Sequence, residues 1–264
     1  MKKFTKLTAF ALALVMALGL LAGCGSSNSD NNSTPSGDDA SGDAAKTKLV
    51  VATSPDFPPF ESLEGGEVVG IEVDILNKIA EKMGMELDIQ QMDFDSVIPG
   101  VQAGKFDVGM SGITVTDKRK ENVDFSSVYF MAAQAIVVTA DSGITGKADL
   151  EGKKVSVQTG TTAEEYCMGN GYEVLAFTAN NDAAAALTAG KVDAWVVDNE
   201  VALAMAPELG LTVLDEAMTS EPYAFAFQKG SDLLAPFNEA LDALLADGTI
   251  EKIFQQYGVT YIAP

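Results

Sequence analysis

Apolar residues follow two alternating patterns along the chain from residue 48 onward. Short apolar runs are typical of buried strands, and between them lie stretches with the 3.6-residue period of a helix. Ile75, Ile79 and Met83, for example, recur at helical spacing, and Gly84 ends that stretch. The alternation of strands and helices favours an α/β fold. The first half predicts strands near residues 48–53, 87–90 and 106–110, helices near 75–83 and 95–102, and a helical turn at 120–123.

The second half of the chain repeats this plan. Residues 103–108 (AGKFDV) return as residues 189–194 (AGKVDA), and residues 48–54 have a counterpart in 154–160. Each AGK copy ends a predicted helix and starts a predicted strand. The copies are short enough for chance, but they agree with the alternation of strands and helices. We therefore expect two α/β lobes of similar plan, each with a mainly parallel sheet.

The end of the chain is expected to return to the first lobe. It adds a strand-like run at 225–227, a helix at 233–245 and a last helix at 250–257. The chain then crosses between the lobes twice, near residues 128–134 and 221–227, and two crossings form a hinge. The predicted division is a first lobe of residues 47–130 and 226–264, and a second lobe of residues 131–225.

The charge balance limits the possible partners. The chain has 17 lysines and arginines against 38 acidic residues, a formal net charge of −21. Because Lys2, Lys3 and Lys6 precede residue 24, the chain from residue 24 onward carries a formal charge of −24. Such a surface repels nucleic acid and anionic lipid. There is no histidine and there are only two cysteines, so neither a transition-metal site, nor a cofactor, nor a catalytic Ser-His pair is predicted.

The first 46 residues predict targeting and tethering. Lysines precede an apolar run from about residue 7 to residue 21, which is too short and wrongly flanked for a stable span. The run ends in Leu-Ala-Gly-Cys24, which resembles the lipobox of bacterial lipoproteins. That resemblance implies a signal peptide of residues 1–23 and acylation of Cys24, and a plain secretory signal is the alternative. Residues 24–46 are polar and are expected to be a disordered tether.

Cys167, left without a disulfide partner, is expected to be a small buried residue.

The stretch from Ser111 to Arg119 carries the first candidate chemistry. It follows a predicted strand and precedes a helical turn, so it presents backbone amides and the positive end of the helix dipole. Arg119 is the only arginine in the sequence. A planar guanidinium can hold both oxygens of a carboxylate at once. We interpret the stretch as a carboxylate site, the alternative being a solvated surface run of charges.

A second candidate surface follows from the layout of the lobes. Loops after parallel strands lie at the carboxyl edge of a sheet, where open α/β sheets bind ligands. In the second lobe those loops carry residues 158–162 and Asp198. Facing the loop of Arg119, they would form a cleft with a cation on one side and a carboxylate on the other. A zwitterion fits such a cleft, which leads to the hypothesis of an α-amino acid ligand.

Five segments together resemble the extracytoplasmic amino-acid-binding proteins of bacterial ABC importers, the solute-binding proteins of family 3, in the polar amino-acid class. The resemblance implies a two-lobed periplasmic-binding-protein-like fold of type II, in which two α/β lobes are joined by a two-segment hinge. It also implies binding without catalysis, with a free amino acid and a membrane ABC permease as partners. The matching segments are residues 52–60, 112–119, 123–126, 157–162 and 192–198.

The resemblance implies roles that agree with the charge argument. Arg119, Thr114 and Thr162, together with the backbone at Gly112, would hold the α-carboxylate of the ligand. Asp198 would take its α-ammonium, helped by the carbonyl of Gly112.

The remaining predicted site residues lie near the ligand side chain. Phe57 and Phe94 are expected to flank it, although packing in the core is the alternative for any aromatic residue. Gln158 is expected at the end of the ligand side chain, where members of the family vary. Ser54 and Ser111 complete the predicted set.

One departure from the family pattern concerns the ligand. Family members that bind basic side chains or a side-chain amide often have an aspartate at the position of Ser54. We therefore favour a neutral polar amino acid, while Asp56 and Glu61 lie close enough in sequence to keep a basic one open. The enzymatic alternative is a lyase on the same fold, such as an arogenate or prephenate dehydratase. A further alternative, which is not an enzyme, is a sensory module that reports the ligand to a receptor. We expect a monomer that is anchored outside the cytoplasm by its lipid.

Overall fold

Two five-stranded sheets, each with helices packed on it, organise the residues that the structure describes. The structure is a computed structural model, and it describes residues 47–264. The predicted signal peptide, the tether of residues 24–46 and Cys24 lie outside the described residues. The strands are β1 (Lys48–Thr53), β2 (Asp56–Phe57), β3 (Glu61–Glu64), β4 (Glu67–Val69), β5 (Glu86–Gln91), β6 (Val108–Gly109), β7 (Val123–Phe125), β8 (Phe130–Ala132), β9 (Gln134–Val138), β10 (Lys154–Gln158), β11 (Glu173–Phe177), β12 (Ala194–Asp198), β13 (Thr212–Val213), β14 (Glu221–Tyr223) and β15 (Ala226–Gln228). The helices are α1 (Ile71–Met83), α2 (Phe94–Gln102), α3 (Asp117–Lys120), α4 (Thr162–Gly169), α5 (Asn180–Thr188), α6 (Asn199–Leu209), α7 (Leu234–Ala246) and α8 (Thr249–Gln256), with a 3-10 turn at Lys147–Leu150.

The sheets of the two lobes have the same topology. The first has the order β5-β1-β6-β15-β7 and the second the order β11-β10-β12-β9-β13. In each, the first three strands pair in parallel and the fourth is antiparallel to both of its neighbours. Four of the five strands therefore point the same way, as the prediction of mainly parallel sheets requires. The fourth strand is reversed because it is the one that the chain builds on arriving from the other lobe.

Two antiparallel strands carry the chain between the lobes. β8 pairs with β14, and Phe130 lies opposite Tyr223. β9 of the second sheet follows β8, and β15 of the first sheet follows β14. The fold is thus the two-lobed α/β arrangement with a two-segment hinge.

The repeated AGK motif has a structural reason. Gly104 and Gly190 have φ angles of 68° and 66°, a left-handed conformation that glycine adopts without steric cost. Three residues later, the carboxylate of Asp107 accepts a hydrogen bond of 2.8 Å from the amide of Val50. In the second lobe, Asp193 accepts one of 2.8 Å from the amide of Lys154. The repeat therefore joins the start of β6 to β1 in the first sheet and the start of β12 to β10 in the second.

An aromatic cluster packs at the hinge. Phe60 contacts Tyr223 and Phe130 with ring centroids 5.3 and 5.7 Å apart, and Phe130 stacks on Phe254 at 4.6 Å. These four side chains are fully buried, and such pairs stabilise beyond the area they bury. The cluster joins both crossing strands to the first lobe and to α8.

Cys167 is buried on α4, as predicted. Burial raises the pKa of its thiol to about 12, so it is an unreactive thiol at neutral pH. Among the residues that the structure describes, no helix is long and apolar enough to cross a membrane.

The short elements differ most from the predictions. The helical turn expected at 120–123 begins earlier, as α3 at Asp117, because the side chain of Thr116 caps it by accepting the amide of Arg119 at 3.2 Å. Val123 belongs instead to β7. The small sheet of β2, β3 and β4 was not predicted, since strands of two to four residues carry almost no periodicity.

Candidate functional site

Loops from both lobes enclose one small cavity. Its volume is about 10 Å³, close to the minimum that holds a single water molecule. Nine of the ten predicted ligand-binding residues line it, and Ser54 is the exception. Thr161 lines it as well, although it was not predicted. The lining residues are Phe57, Phe94, Ser111, Gly112, Thr114, Arg119, Gln158, Thr161, Thr162 and Asp198.

Arg119 supplies the positive charge of the cavity. Its guanidinium donates to the carbonyl oxygens of Thr114 at 2.8 Å and of Gly160, in the other lobe, at 3.1 Å. It also lies over the ring of Phe94, 5.5 Å from the centroid, a cation–π contact. Burial lowers the pKa of Arg119, and the carboxylates of Glu165 and Asp198 counteract this. An arginine stays protonated at neutral pH, so the cavity holds a fixed cation. Its guanidinium has five N–H donors, more than the two carbonyl oxygens named above accept.

Asp198 supplies the negative charge from the opposite lobe. It ends β12 and precedes α6. Its carboxylate accepts a hydrogen bond of 2.8 Å from the side-chain nitrogen of Gln134. Burial raises the pKa of Asp198 well above its usual value, and the acidic side chains of Glu221 and Glu200 raise it further. Arg119 has the opposite effect on this pKa. A buried carboxylate among other acids is a site that gains free energy from an incoming cation.

Hydroxyl groups and a helix start complete the polar lining. Thr161 caps α4, since its hydroxyl oxygen accepts the amide of Glu164 at 3.2 Å. The hydroxyl oxygen of Thr162 accepts a bond of 3.3 Å from Gln134. Amides in the first turn of a helix have no acceptor within the helix, and they lie at the positive end of its dipole. The sequence signal that could have identified Thr161 is the capping pattern Thr-x-x-Glu at residues 161–164.

Gly112 has to be a glycine. Its φ angle is 52°, and a Cβ atom there would lie 2.5 Å from the ring of Phe57. Its amide donates to a carboxylate oxygen of Glu72 at 3.0 Å. The amide of Gly112 therefore already has an acceptor, which is a correction to the prediction that this backbone helps hold a ligand carboxylate. The carbonyl is the backbone group of Gly112 that a ligand ammonium can use.

Asp56 joins the lobes beside the cavity. Its carboxylate accepts the backbone amide of Asn180, at the start of α5, at 2.6 Å. It also faces the side-chain nitrogen of Gln158, at 3.3 and 3.5 Å. Ser54 donates its hydroxyl to Asp56 at 3.0 Å, and it does not line the cavity. Burial raises the pKa of Asp56, and the hydrogen bond from Asn180 has the opposite effect.

Glu61 does not reach the cavity. Its side chain is fully buried and accepts the hydroxyl of Ser111 at 2.8 Å. Neither of the two acids that kept a basic ligand open in the sequence lines the cavity: Glu61 contacts Ser111 within the first lobe, and Asp56 contacts Gln158 of the second lobe.

Further contacts between the lobes lie at the mouth of the cleft. Lys118 of the first lobe forms an ion pair with Glu165 of the second, and both side chains are largely exposed. A Cβ atom on Gly160 would lie 3.0 Å from that of Asp95. With the contacts of Arg119 and Asp56, these show that the two lobes are closed on each other.

Comparison with known proteins gives one consistent result. Residues 49–260 match the family model of the bacterial extracellular solute-binding proteins, family 3. The chain is 35% identical over 245 residues to the arginine-binding extracellular protein ArtP of Bacillus subtilis, with 90% of this chain and 92% of that protein covered. It is 34% identical over 266 residues to a probable histidine-binding protein of Campylobacter jejuni, with 97% and 99% covered.

Solved structures agree with these relatives. An ancestral arginine-binding protein bound to glutamine superposes with a TM-score of 0.76 and 41% identity. The match covers 80% of this chain and 98% of that one. All three proteins are described as binding proteins and none as an enzyme.

Proposed function

The chain belongs to the bacterial extracellular solute-binding proteins of family 3, and from this membership and its cavity we propose that it captures a free L-amino acid. It is an extracytoplasmic binding protein rather than an enzyme. The single observation that supports the ligand class is the placement of Arg119 and Asp198 at one cavity from opposite lobes. A guanidinium and a buried carboxyl group that line one cavity match the charges of the two ends of one α-amino acid.

Each end of the zwitterion has a set of partners. The α-carboxylate would accept from Arg119, from the hydroxyl of Thr114 and from the start of α4 at Thr162. The α-ammonium would donate to Asp198 and to the carbonyl of Gly112. Because the partners come from both lobes, the complete set exists only in the closed protein, so the ligand stabilises closure by its differential affinity.

The closed cavity of about 10 Å³ is too small for an amino acid, so the lobes would close less tightly around the ligand, whose side chain would lie toward Asp56 and Gln158. The sequence favours a neutral polar side chain, since Ser54 replaces a family aspartate, but the contacts of Asp56 support a cationic one. Its carboxylate crosses to the second lobe and faces Gln158, which lines the cavity. We therefore propose a basic amino acid, with arginine first, because a guanidinium can bond both oxygens of a carboxylate. The names of the two sequence relatives agree with a basic ligand.

Delivery and anchoring complete the proposal. The closed protein would dock on a membrane permease of an ABC importer, as the family membership suggests. Acylation of Cys24 would hold it at the membrane through the tether of residues 24–46. The lobes would be residues 47–130 with 226–264, and residues 131–225, and they would move about the paired strands β8 and β14.

A binding screen tests this function. The purified protein is tested with each of the twenty amino acids by thermal shift, and hits are measured by titration calorimetry. Protein prepared by unfolding and refolding is included, because it has lost any ligand retained from the host cell. We expect arginine to give the largest shift, followed by lysine and histidine. Binding of none of the twenty would refute the function, while preference for glutamine over arginine would refute only the choice of side chain.

A further inference from the structure

Two glutamates are buried together directly behind the cavity. Glu61 lies on β3 and Glu72 on α1, and both are 0% exposed. Their carboxyl groups accept hydrogen bonds from two adjacent residues, Ser111 and Gly112, and burial and Glu72 both raise the pKa of Glu61. No part of the ligand site described above uses either carboxyl group for direct contact with a ligand.

The hydrogen bonds around the two glutamates are unequal. Both oxygens of Glu72 have donors: the amide of Gly112 at 3.0 Å and the hydroxyl of Tyr129. Glu61 accepts the hydroxyl of Ser111 at 2.8 Å through one oxygen only. The other oxygen of Glu61 is buried without a donor. A carboxylate oxygen without a donor is costly in a dry interior, whereas a protonated one is itself a donor.

The surroundings do not neutralise two negative charges. The other titratable groups that face the pair are Asp56 and Tyr129, and neither is a cation. No ion pair formed by the described residues involves Glu61 or Glu72. Two like carboxylates in a dry site do not both ionise near neutral pH. Burial and Glu72 raise the pKa of Glu61 well above its usual value, and burial raises that of Glu72.

We propose that Glu61 and Glu72 share one proton, carried by Glu61, and that this pair positions the Ser111–Gly112 segment for the ligand. The protonated Glu61 donates to Glu72 and accepts from Ser111. Glu72, as the carboxylate, accepts from Glu61, Gly112 and Tyr129. Both residues of the segment line the cavity. Glu61 and Glu72 are thus positioning residues that act through the segment, and this role depends on the proposed function.

Two isosteric variants separate this arrangement from a merely structural one. In Glu61→Gln, the amide nitrogen donates to Glu72 and its oxygen accepts from Ser111, which reproduces the protonated state. In Glu72→Gln, an NH₂ group faces the amide of Gly112 or the hydroxyl of Tyr129. By calorimetry with arginine near neutral pH, we expect Glu61→Gln to bind within about threefold of wild type. We expect Glu72→Gln to bind about ten- to a hundredfold more weakly.

The pH dependence of stability tests the proton without any ligand. The pKa of Glu61 is higher in the folded than in the unfolded protein, so its stabilising contribution is complete at low pH and is lost as pH rises toward the folded pKa. Glu61→Gln lacks this loss. The equilibrium constant for unfolding in urea is compared between Glu61→Gln and wild type. The ratio of the variant's constant to that of wild type should fall by up to about tenfold per pH unit above about pH 5. The infrared difference between wild type and Glu61→Gln should also show a protonated carboxyl band at neutral pH.

The results distinguish failure of this inference from failure of the ligand proposal. Equal weakening of binding in Glu61→Gln and Glu72→Gln would overturn the inference, as would a pH-independent stability difference between wild type and Glu61→Gln. If Glu72→Gln does not fold, the inference is tested by comparing wild type with Glu61→Gln alone, through the pH dependence of stability and the infrared band. If wild type binds no amino acid, the proposed function and with it the positioning role fail, and the same two measurements still decide whether the proton is shared.

Discussion

The guanidinium of Arg119 and the carboxylate of Asp198 face one cavity from opposite lobes, and each affects the pKa of the other. Arg119 acts to lower the pKa of Asp198, and Asp198 acts to raise that of Arg119. Burial has the larger and opposite effect on both groups. Ionisation of either group therefore has a desolvation cost, which the charged ends of a zwitterion would offset.

Removal of either charge should weaken binding strongly. Arg119→Ala leaves the ligand carboxylate, and Asp198→Ala the ligand ammonium, without its partner in a closed cleft. Breaking a buried pair in this way costs about 3–5 kcal/mol, a loss of affinity of roughly a hundred- to a few-thousandfold. Lys118→Ala is the matched control, because it removes a neighbouring cation whose ion pair with Glu165 is exposed. It should change the affinity by less than about fivefold. Near-normal calorimetric affinity in both cavity variants would remove the site assignment.

Binding should release protons and strengthen as pH rises. The raised pKa of Asp198 means that the ligand-free protein holds a proton there at a pH at which an exposed aspartate has none. An ammonium binds the carboxylate form, so the proton has to leave. Affinity should therefore rise with pH until the folded pKa of Asp198 is passed. Calorimetry in two buffers with different ionisation heats measures the protons released. The Asp198→Asn variant, studied at high ligand concentration, should lack this release, and an unchanged release would assign it to another group.

Asp56→Asn should change selectivity more than stability. The asparagine oxygen can still accept the amide of Asn180, but the charge that faces the ligand side chain is lost. We expect the affinity ratio of arginine to glutamine to fall by about ten- to a hundredfold, the range of one charged hydrogen bond. Asp95→Asn is the control, since Asp95 is exposed at the mouth of the cleft. A similar fall in both variants would indicate a general charge effect and would contradict a specific role for Asp56.

Gly112→Ala should destabilise the protein more than Gly65→Ala does. Both glycines have a left-handed φ, 52° and 61°, so both substitutions cost about 1–2 kcal/mol of backbone strain. A Cβ atom at Gly65 would meet nothing within 4 Å, whereas at Gly112 it would lie 2.5 Å from Phe57. The extra cost of overpacking is about 1–3 kcal/mol. Urea unfolding measures both, and calorimetry should show weaker binding for Gly112→Ala alone. Equal unfolding free energies would mean that Phe57 moves aside.

Local patterns in the sequence were enough for the longer elements and for the choice of site loops. The apolar spacing along α1 and α7 is regular, so their faces and their carboxyl-terminal ends follow from periodicity, whereas α1 begins at Ile71, four residues before its predicted start. The loop of Arg119 and the loop before α4 were found because parallel strands bring their carboxyl ends to one edge. Strands of two residues, such as β2 and β13, are too short for any such pattern.

The contacts that refine the site join distant parts of the chain. Asp56 meets Asn180 across 124 positions, and Glu72 meets Gly112 across 40. Neither contact has a local signal: the first depends on how the two lobes close on each other, and the second on how α1 packs against a distant loop of its own lobe. Ser54 was placed at the ligand because family members often have an aspartate at its position, and the sequence does not show that its hydroxyl donates to Asp56.

The sequence by itself determined two repeated α/β lobes, their crossing segments and a pair of opposite charges on facing loops, since each of these follows from periodicity, strand direction or residue type. Tertiary structure alone decided which carboxylates meet the cavity and which lie buried behind it. The physical reason is burial: whether Asp56, Glu61, Glu72 or Asp198 is a surface charge, a ligand partner or a proton carrier depends on the groups packed around it, which residues far away in the chain supply.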